Sequence, residues 1–447
     1  MGLLWLYIAV LAGCRPTPAA HPDVFVISLD TTRADAISAW GLAPAGREDL
    51  RGVAITPHID ALAAKGVRYA WAFAHAPSTL ASHATVFTGR EPRSVAIPRN
   101  GFPLLPGAET LAERMHGLGY ATSAVLGSSA LARPMGVDRG FDIWDENFSV
   151  ARTRRHEANA TEVTDRALAA LQSHDASAPV FLFAHYFDAH GPYQAPAPFA
   201  GRFHSSGKVL PRELERLANE CRDGQCEDSA VQAAIQQVRG AYLEEVAYVD
   251  SEIGRLLAEP ARPNGRIVIL FGDHGEMLGD NPVRPFGHGA DVDPVTTHVP
   301  LLIVAPGLAP GVVKAATGLR DVGAMLLRQL GDATPFGESA VAINQDLTNM
   351  NPREIPMEAT QPGNAEPGWN NRDNERGMVL DDRLVIEATD QPVAWQNVDG
   401  TALDGDAPGC ASLLERLHTW HKAAPAFRSV QMDNATHEGL KALGYEE

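Results

Sequence analysis

The chain has 447 residues, of which 45% are hydrophobic and 21% are charged, an ordinary balance for a globular protein. A chain of this length can bury one large α/β core with a smaller unit beside it. The formal net charge is −18 and no stripe of basic residues is present, which argues against a nucleic-acid partner, because phosphate backbones are bound by clustered lysine and arginine.

The first residues read as a targeting segment. Leu3 to Leu11 is apolar but too short to span a bilayer, and it leads into Leu11-Ala12-Gly13-Cys14, which resembles the bacterial lipobox. In a lipobox the cysteine becomes the lipidated N-terminus after cleavage. We therefore expect residues 1–22 to be a lipoprotein-type signal and tether, and the protein to be exported and anchored through Cys14 at the bacterial cell envelope, on the periplasmic side or the cell surface. The alternative is a leader that is uncleaved or wrongly assigned.

Two distant apolar runs end on residues that can bind a metal ion. Residues 24–29 lead into Asp30, and residues 267–271 lead into Gly272-Asp273-His274. Short apolar runs without alternation are typical of strands buried on both faces of a parallel sheet. Because ligands bind beyond the carboxyl ends of such strands, we expect Asp30, Asp273 and His274 to meet at one edge.

The rest of residues 23–335 alternates between strand and helix signals. Thr56 and Pro57 begin one helix, with Thr56 as its cap, and Gly66 ends it. This alternation predicts an α/β fold with a mostly parallel central sheet flanked by helices. The other predicted elements are helices over 109–118 and 230–258 and strands over 121–126, 180–184 and 301–305.

The composition changes after about residue 335. Residues 343–376 are rich in Asn, Pro, Gly and Glu and are expected to be mostly loop. Short strands over 378–380, 384–387 and 393–398 and a helix over 411–421 follow. We interpret residues 336–447 as a small antiparallel C-terminal subdomain.

Cys221 and Cys226 flank four residues in an insertion, 201–228, that is expected to be a loop. In an oxidising compartment they could close a small disulfide, which would agree with export. The alternatives are two unrelated thiols or a weak metal pair. Cys410 would be left without a partner.

Four clusters carry side chains suited to chemistry, and each has a plain structural explanation as well. Ser78 and Thr79 before an apolar helical run could be helix caps, a lone Asp after a strand is usually a turn residue, and His190 could close a loop. Together, however, the clusters supply metal ligands, a hydroxyl and proton donors beside strand ends, which favours an enzyme site. The clusters are residues 30–35, 77–89, 188–193 and 273–289.

With these motifs, the chain resembles the sulfatase family of the alkaline phosphatase superfamily from about Asp23 to its C-terminus, apart from the insertion. The resemblance implies an alkaline phosphatase-like fold and a sulfuric or phosphoric ester hydrolase. It also rests on residues 56–67, Gly140-Phe141-Asp142, residues 245–250 and Leu440-Lys441-Ala442-Leu443-Gly444-Tyr445.

The chain departs from the family pattern at the nucleophile. Sulfatases carry a Cys or Ser that is oxidised to formylglycine, followed two residues later by Pro and four later by Arg; this chain has Thr79, Ala81 and His83 there. Threonine cannot become an aldehyde by that route. Thr31 stands where a second acidic ligand is usual, and His288 stands where many relatives have a lysine.

The remaining set is similar to that of superfamily members with a plain Thr or Ser nucleophile. It implies a divalent cation, Mn²⁺, Mg²⁺ or Ca²⁺ with Zn²⁺ also compatible, held by Asp30, Thr79, Asp273 and His274. Thr79 is the expected nucleophile, His190 and His288 would contact the ester oxygens or protonate the leaving group, and His83 would orient substrate. A second metal would follow if Asp188, His190 and His288 assemble, although one metal is favoured.

The sequence thus predicts a metal-dependent hydrolase of sulfate or phosphate (di)esters on a small molecule or glycan, working through a covalent threonine ester. Thr79 favours phosphoryl and phosphodiester substrates. One alternative is a phosphotransferase acting on an envelope lipid or glycan. Another is a degenerate member that binds sulfated or phosphorylated glycans without turnover. The sequence does not indicate an oligomeric state.

Overall fold

A computed structural model of the chain describes residues 21–148, 157–175, 178–204, 209–339, 346–347, 353–360, 374–388 and 391–423. Cys14 and the motif at 440–445 therefore lie outside the described residues. Among the helices that are described, none has both the length and the apolar character needed to cross a bilayer.

The described strands and helices follow the alternation expected from the sequence. The strands are β1 Asp23–Leu29, β2 Val67–Tyr69, β3 Ala72–Phe73, β4 Ala121–Val125, β5 Ile143–Asp145, β6 Val180–Tyr186, β7 Arg266–Gly272, β8 Met277–Leu278, β9 Phe286–Gly287, β10 His298–Val299, β11 Leu301–Val304, β12 Gly311–Val313, β13 Thr317–Gly318, β14 Ile355–Ala359, β15 Glu375–Leu380, β16 Arg383–Glu387 and β17 Ala394–Asn397. The helices are α1 Pro57–Ala63, α2 Thr79–Thr88, α3 Leu111–Gly117, α4 Ala160–Ser173, α5 Pro211–Glu220, α6 Ser229–Leu257, α7 Pro294–Thr297, α8 Val322–Gln329 and α9 Cys410–Lys422.

The main sheet runs β12-β2-β11-β7-β1-β6-β4-β5 within the described residues. β1 lies between β6 and β7 and is parallel to both, which explains its unbroken apolar sequence, since both of its faces are covered. β11 is antiparallel to β7 and to β2, so the sheet is mostly but not wholly parallel. Separate hydrophobic clusters cover the two faces, one including α2, α3 and α8 and the other α4 and α6. The predicted α/β fold is confirmed.

The antiparallel part is a separate sheet, in the order β14-β15-β16-β17. α9 packs on it through Leu413 and Leu417, which share a small buried cluster with Met378 and Val385. The small antiparallel sheet was predicted, but β14 falls in the stretch that was expected to be loop. The domain limits at 22/23 and 335/336 stay a prediction.

The insertion is not the loop that was predicted. It contains α5 and a helical turn over Cys221–Gln225 that runs on towards α6, and Cys221 and Cys226 are joined in a disulfide. The two cysteines are five positions apart in the chain, and the helical backbone between them brings their Cα atoms to 4.0 Å. Cys410 is buried and is not part of a disulfide.

The long helix α6 holds several loops in place through buried polar side chains. Tyr242 donates to the carbonyl of Thr31 (3.0 Å) and accepts from the N–H of Arg33 (3.0 Å), next to Asp30. Glu244 accepts hydrogen bonds from the backbone N–H groups of Gly201, Phe203 and His204 at 3.0, 2.7 and 3.2 Å. Residues 201–204 are therefore held against α6 through their backbone and through the His204 ring, which lies 2.9 Å from Glu244 Oε2.

Helix α6 also supplies the capping group of α1, a role that the sequence analysis assigned to Thr56. Thr56 is the N-cap residue of α1, but its side chain makes no capping hydrogen bond and instead accepts from the N–H of Ser38. Asp250 of α6 accepts from the N–H groups of His58 (3.2 Å) and Ile59 (2.8 Å). The predicted cap was wrong because a long-range carboxylate took the place of the local hydroxyl.

We expect Asp250→Ala to destabilise the protein by about 1–2 kcal/mol, because one buried and one part-buried N–H group of α1 lose their acceptor. The free energy of unfolding in urea measures the loss. Asp228→Ala is the matched control, since Asp228 is an N-cap whose side chain makes no capping hydrogen bond. Equal effects of the two substitutions would contradict the assignment.

Candidate active site

The register of the central strands places the predicted ligands side by side. Leu29 of β1 lies opposite Gly272 of β7, so the residues that follow, Asp30 and Asp273, leave the sheet at the same point. The backbone turns sharply there: Thr31 has a φ of 48°, in the left-handed region, and its N–H donates to Asp273 Oδ1 at 3.1 Å. A non-glycine residue in this conformation is strained and is common at functional sites.

Asp30, Asp273 and His274 are fully buried, and each has one ligand atom within 4.8 Å of those of the other two. Asp30 Oδ1 and Asp273 Oδ2 are buried without a hydrogen-bond partner among the described residues. Burial raises the pKa of Asp30 to about 8, and burial together with repulsion from Asp30 raises the pKa of Asp273 well above its usual value. Burial lowers the pKa of His274 and keeps its imidazole neutral. Such a set fits a divalent cation, which would compensate both carboxylates.

Thr79 is the first residue of α2 and points into this group. Its hydroxyl lies 3.3 Å from His274 Nε2, and its presence beside Asp30 lowers the pKa of that carboxyl against the larger effect of burial. The helix is capped by Asn100, whose side-chain oxygen accepts from the N–H of Leu80 at 2.7 Å, while Ser78 makes no capping bond. The Thr79 hydroxyl is therefore not the cap of α2. The purely structural explanation of this residue, as a helix cap, does not apply.

His83 lies one turn further along α2 and is fully buried. Its Nε2 is 2.7 Å from Ser28 Oγ, its Nδ1 is 2.7 Å from the carbonyl of Thr79, and Nδ1 is 3.6 Å from Asp273 Oδ2. Burial lowers the pKa of His83 well below its usual range. These contacts tie the ring to the backbone of Thr79; the predicted role in orienting substrate stays a prediction.

His185 is a member of this group that the sequence analysis missed. It lies near the end of β6, and its Nε2 is 3.1 Å from Asp30 Oδ2. Together with His83 and Asp273 it forms a second close group of ligand atoms. The signal in the sequence is its place at the end of a buried strand, just before the motif that contains Asp188 and His190.

His190 and His288 lie together on one side of His274. Their rings meet edge to face with centroids 5.1 Å apart, and the ring of His288 is 4.4 Å from that of His274. His288 Nδ1 lies 3.4 Å from Glu276 Oε1. Burial alone would lower the pKa of His288, but Glu276, Asp30 and Asp273 outweigh it and raise the pKa.

The alternative second metal site does not form where the sequence placed it. Asp188, His190 and His288 are not among the close ligand groups of the described residues. Asp188 instead accepts from the N–H of Ala160 at the start of α4, at 3.1 Å, because β6 and α4 are neighbours on that side of the sheet.

Comparison with known proteins matches the sulfatase family model to residues 22–332. The chain is 26% identical over 212 residues to the multifunctional alkaline phosphatase superfamily protein PehA of Trinickia caryophylli, covering 41% of this chain and 40% of that protein. It is 26% identical over 185 residues to an arylsulfatase of Clostridium perfringens, covering 38% and 37%. The chain thus spans about two fifths of the length of these curated relatives.

Similarity in structure extends over nearly the whole chain. The phosphonate monoester hydrolase from Silicibacter pomeroyi superposes with a TM-score of 0.65 at 22% identity, covering 93% of this chain and 98% of that one. At this identity the likeness concerns the fold, with its mostly parallel sheet and separate antiparallel sheet.

We expect His185→Phe to weaken Mn²⁺ binding about 10- to 100-fold, because the Asp30 carboxylate loses the imidazole that orients it. Isothermal titration of the metal-free protein measures the affinity. His116→Phe, which changes an exposed histidine of α3, is the control. An unchanged affinity in His185→Phe would contradict a role of His185 at the metal group.

Proposed function

Since the chain belongs to the sulfatase family, we propose that it is an exported, metal-dependent hydrolase that cleaves sulfate or phosphate esters through Thr79. The observation that carries the proposal is the position of the Thr79 hydroxyl, 3.3 Å from His274 Nε2 within the buried group of ligands. Names of relatives point the same way, since they include an arylsulfatase and a phosphonate monoester hydrolase.

The metal would be held by Asp30, Asp273 and His274 together with the Thr79 oxygen. Two buried carboxylates with unpartnered oxygens and a neutral imidazole form a donor set of oxygens and one nitrogen. Such a set suits Mn²⁺, Mg²⁺ or Ca²⁺ and is compatible with Zn²⁺. When bound, a divalent cation supplies positive charge that lowers the pKa of a coordinated hydroxyl and stabilises charge on the ester oxygens.

Thr79 would act as the nucleophile. Its oxygen bonds to phosphorus or sulfur as the ester oxygen leaves, and water then hydrolyses the threonine ester. The hydroxyl proton would pass to the Asp30 carboxylate, whose pKa Thr79 influences. Thr79 also stands at the N-terminus of the ten-residue helix α2, where backbone N–H groups favour negative charge.

His190 and His288 would act on the leaving group. They lie beside His274, and their rings meet edge to face. Glu276 accepts from the His288 ring and favours its protonated form, as a proton donor requires. His288 lies next to His274, which contacts the Thr79 hydroxyl, and His190 lies on the far side of His288.

His83 would position the nucleophile. Its ring is fixed between Ser28 of β1 and the Thr79 carbonyl, so it ties the first turn of α2 to the central strand. In the family pattern an arginine stands here, and a neutral imidazole makes the site less positive. Thr79, which cannot be oxidised to formylglycine, favours phosphoryl and phosphodiester substrates over sulfate esters.

We expect Thr79→Ala to lower kcat on an aryl phosphodiester by about 10³-fold or more, while Thr79→Ser keeps much of the activity because it retains a hydroxyl. Steady-state assays of aryl phosphate, aryl phosphodiester and aryl sulfate with added Mn²⁺ measure this. Turnover that survives Thr79→Ala would overturn the nucleophile assignment. A metal-loaded protein that turns over none of the esters would favour the binding alternative.

Export and lipid anchoring rest on the sequence of residues 1–22, and the disulfide between Cys221 and Cys226 agrees with an oxidising compartment. In a bacterial host we expect the wild-type chain to partition into the detergent phase of Triton X-114, and Cys14→Ser to shift it to the aqueous phase or leave it as uncleaved precursor. Equal partitioning of both, with no change in processed mass, would refute the anchor.

A further inference from the structure

A cavity of about 730 Å³ opens beside His190 and is strongly acidic. Five carboxylates line it, and its described lining includes no arginine or lysine; the carboxylates belong to Glu157, Glu162, Asp188, Glu245 and Glu252. His190 links the cavity to the reaction centre, because its ring stacks on Phe187 of the cavity wall (4.5 Å) and meets His288 on the other side (5.1 Å).

Three of the five carboxylates do not depend on a ligand: Glu157 is not without a partner, and Glu252 and Glu162 have structural partners that account for them. Glu252 pairs with Arg255 at 2.6 Å, and Glu162 accepts from the N–H of Asn159 in the capping box of α4. These acids would be present even if the cavity bound nothing.

Asp188 and Glu245 are different. Asp188 Oδ1 accepts from the N–H of Ala160, but its Oδ2 is buried and has no hydrogen-bond partner among the described residues. Glu245 is only 4% exposed. Within the described part of the chain it accepts one hydrogen bond, from the N–H of Gln194. Neither carboxylate has an ion pair with a basic residue of the described chain.

The charges acting on these two carboxylates are of the same sign. Burial raises the pKa of Asp188 to about 7, with repulsion from Glu157 and Glu162 adding to it. Burial raises the pKa of Glu245 well above its usual value, and Asp188, Glu244 and Glu157 raise it further. A positive group in the cavity would relieve this repulsion and restore both carboxylates to their ionised form.

The shape and lining favour an organic cation over a metal ion. The close ligand groups found among the described residues, Asp30 with Asp273 and His274 and His83 with His185 and Asp273, lie outside the cavity. The carboxylates of the cavity are spread around a wide space that also presents the rings of Phe187, Phe199 and Tyr248. Aromatic rings with carboxylates between them are suited to an ammonium group, which gains from both.

We propose that this cavity binds an ammonium group carried by the substrate, so that the substrate class is sulfate or phosphate esters of amino or quaternary ammonium compounds. The inference rests on the proposed function, because the cavity is assigned to the part of the substrate beyond the bond that is cleaved. His190 would stand between the two, with the ester on the His288 side and the cation on the Phe187 side.

The test is direct binding, which does not depend on turnover. Isothermal titration of the full chain with choline at pH 8 is compared with 3,3-dimethylbutanol, a neutral compound of nearly the same shape. We expect choline to bind about tenfold more tightly or better. Ethanolamine and glucosamine in parallel distinguish a headgroup-like from an aminosugar source. Equal affinities of choline and the neutral compound would overturn the proposal, as would displacement of choline by Ca²⁺ at a lower concentration than by ethanolamine.

Glu245→Gln is expected to weaken choline binding about tenfold, while Glu215→Gln, which removes the same charge from the exposed face of α5, leaves it unchanged. If Glu245→Gln does not fold, as judged by circular dichroism, the comparison of choline with its neutral analogue in the wild-type chain still decides. Choline binding without turnover of any ester would remove the proposed function and keep the cation site. Turnover of aryl esters without ammonium binding would overturn the cation site and keep the proposed function.

Discussion

The site depends on an electrostatic conflict created by strand pairing. β1 and β7 are parallel neighbours in register, so the carboxylates that follow them, Asp30 and Asp273, are forced into the same buried space. Leaving either charge there without a counterion is costly, and the raised pKa of both groups expresses that cost. A divalent cation is the simplest way to resolve the conflict. It would also place positive charge next to the Thr79 hydroxyl, so the same interaction would serve stability and chemistry.

The imidazoles around the carboxylates do not provide that charge. Burial lowers the pKa of His83 and His274 well below the usual range and that of His185 to about 3, so all three are neutral. Where the family pattern has an arginine, this chain has His83, and His185 faces it with ring centroids 5.0 Å apart. The two rings fill space and fix hydrogen bonds without adding cationic character. These three imidazoles therefore add no positive charge to the group, and a bound metal ion would supply it.

Sequence patterns predicted those parts of the molecule that follow from local order. The apolar runs before Asp30 and Asp273 predicted the buried strands, and parallel pairing then placed the two acids together, as the structure shows. The contacts that were missed all join residues far apart in the chain. His185 reaches Asp30 across 155 positions, and Asp250 caps α1 from 191 positions away. Propensity and spacing carry no information on such pairs. They therefore pointed to the local hydroxyl of Thr56 as the cap of α1, and not to Asp250.

Four backbone N–H groups of the stretch 194–204 donate to Glu244 and Glu245 of α6, and the side chains of His204 and Phe199 also contact the helix. Backbone amides are present whatever the side chain. The contacts that they make with α6 are therefore retained in most substitutions within the stretch. Helix α6 thus holds the backbone of this stretch in place, while side chains of the cavity rim next to His190 can change by single mutations. A new substrate preference would then need substitutions in the wall of the cavity and none at the reaction centre.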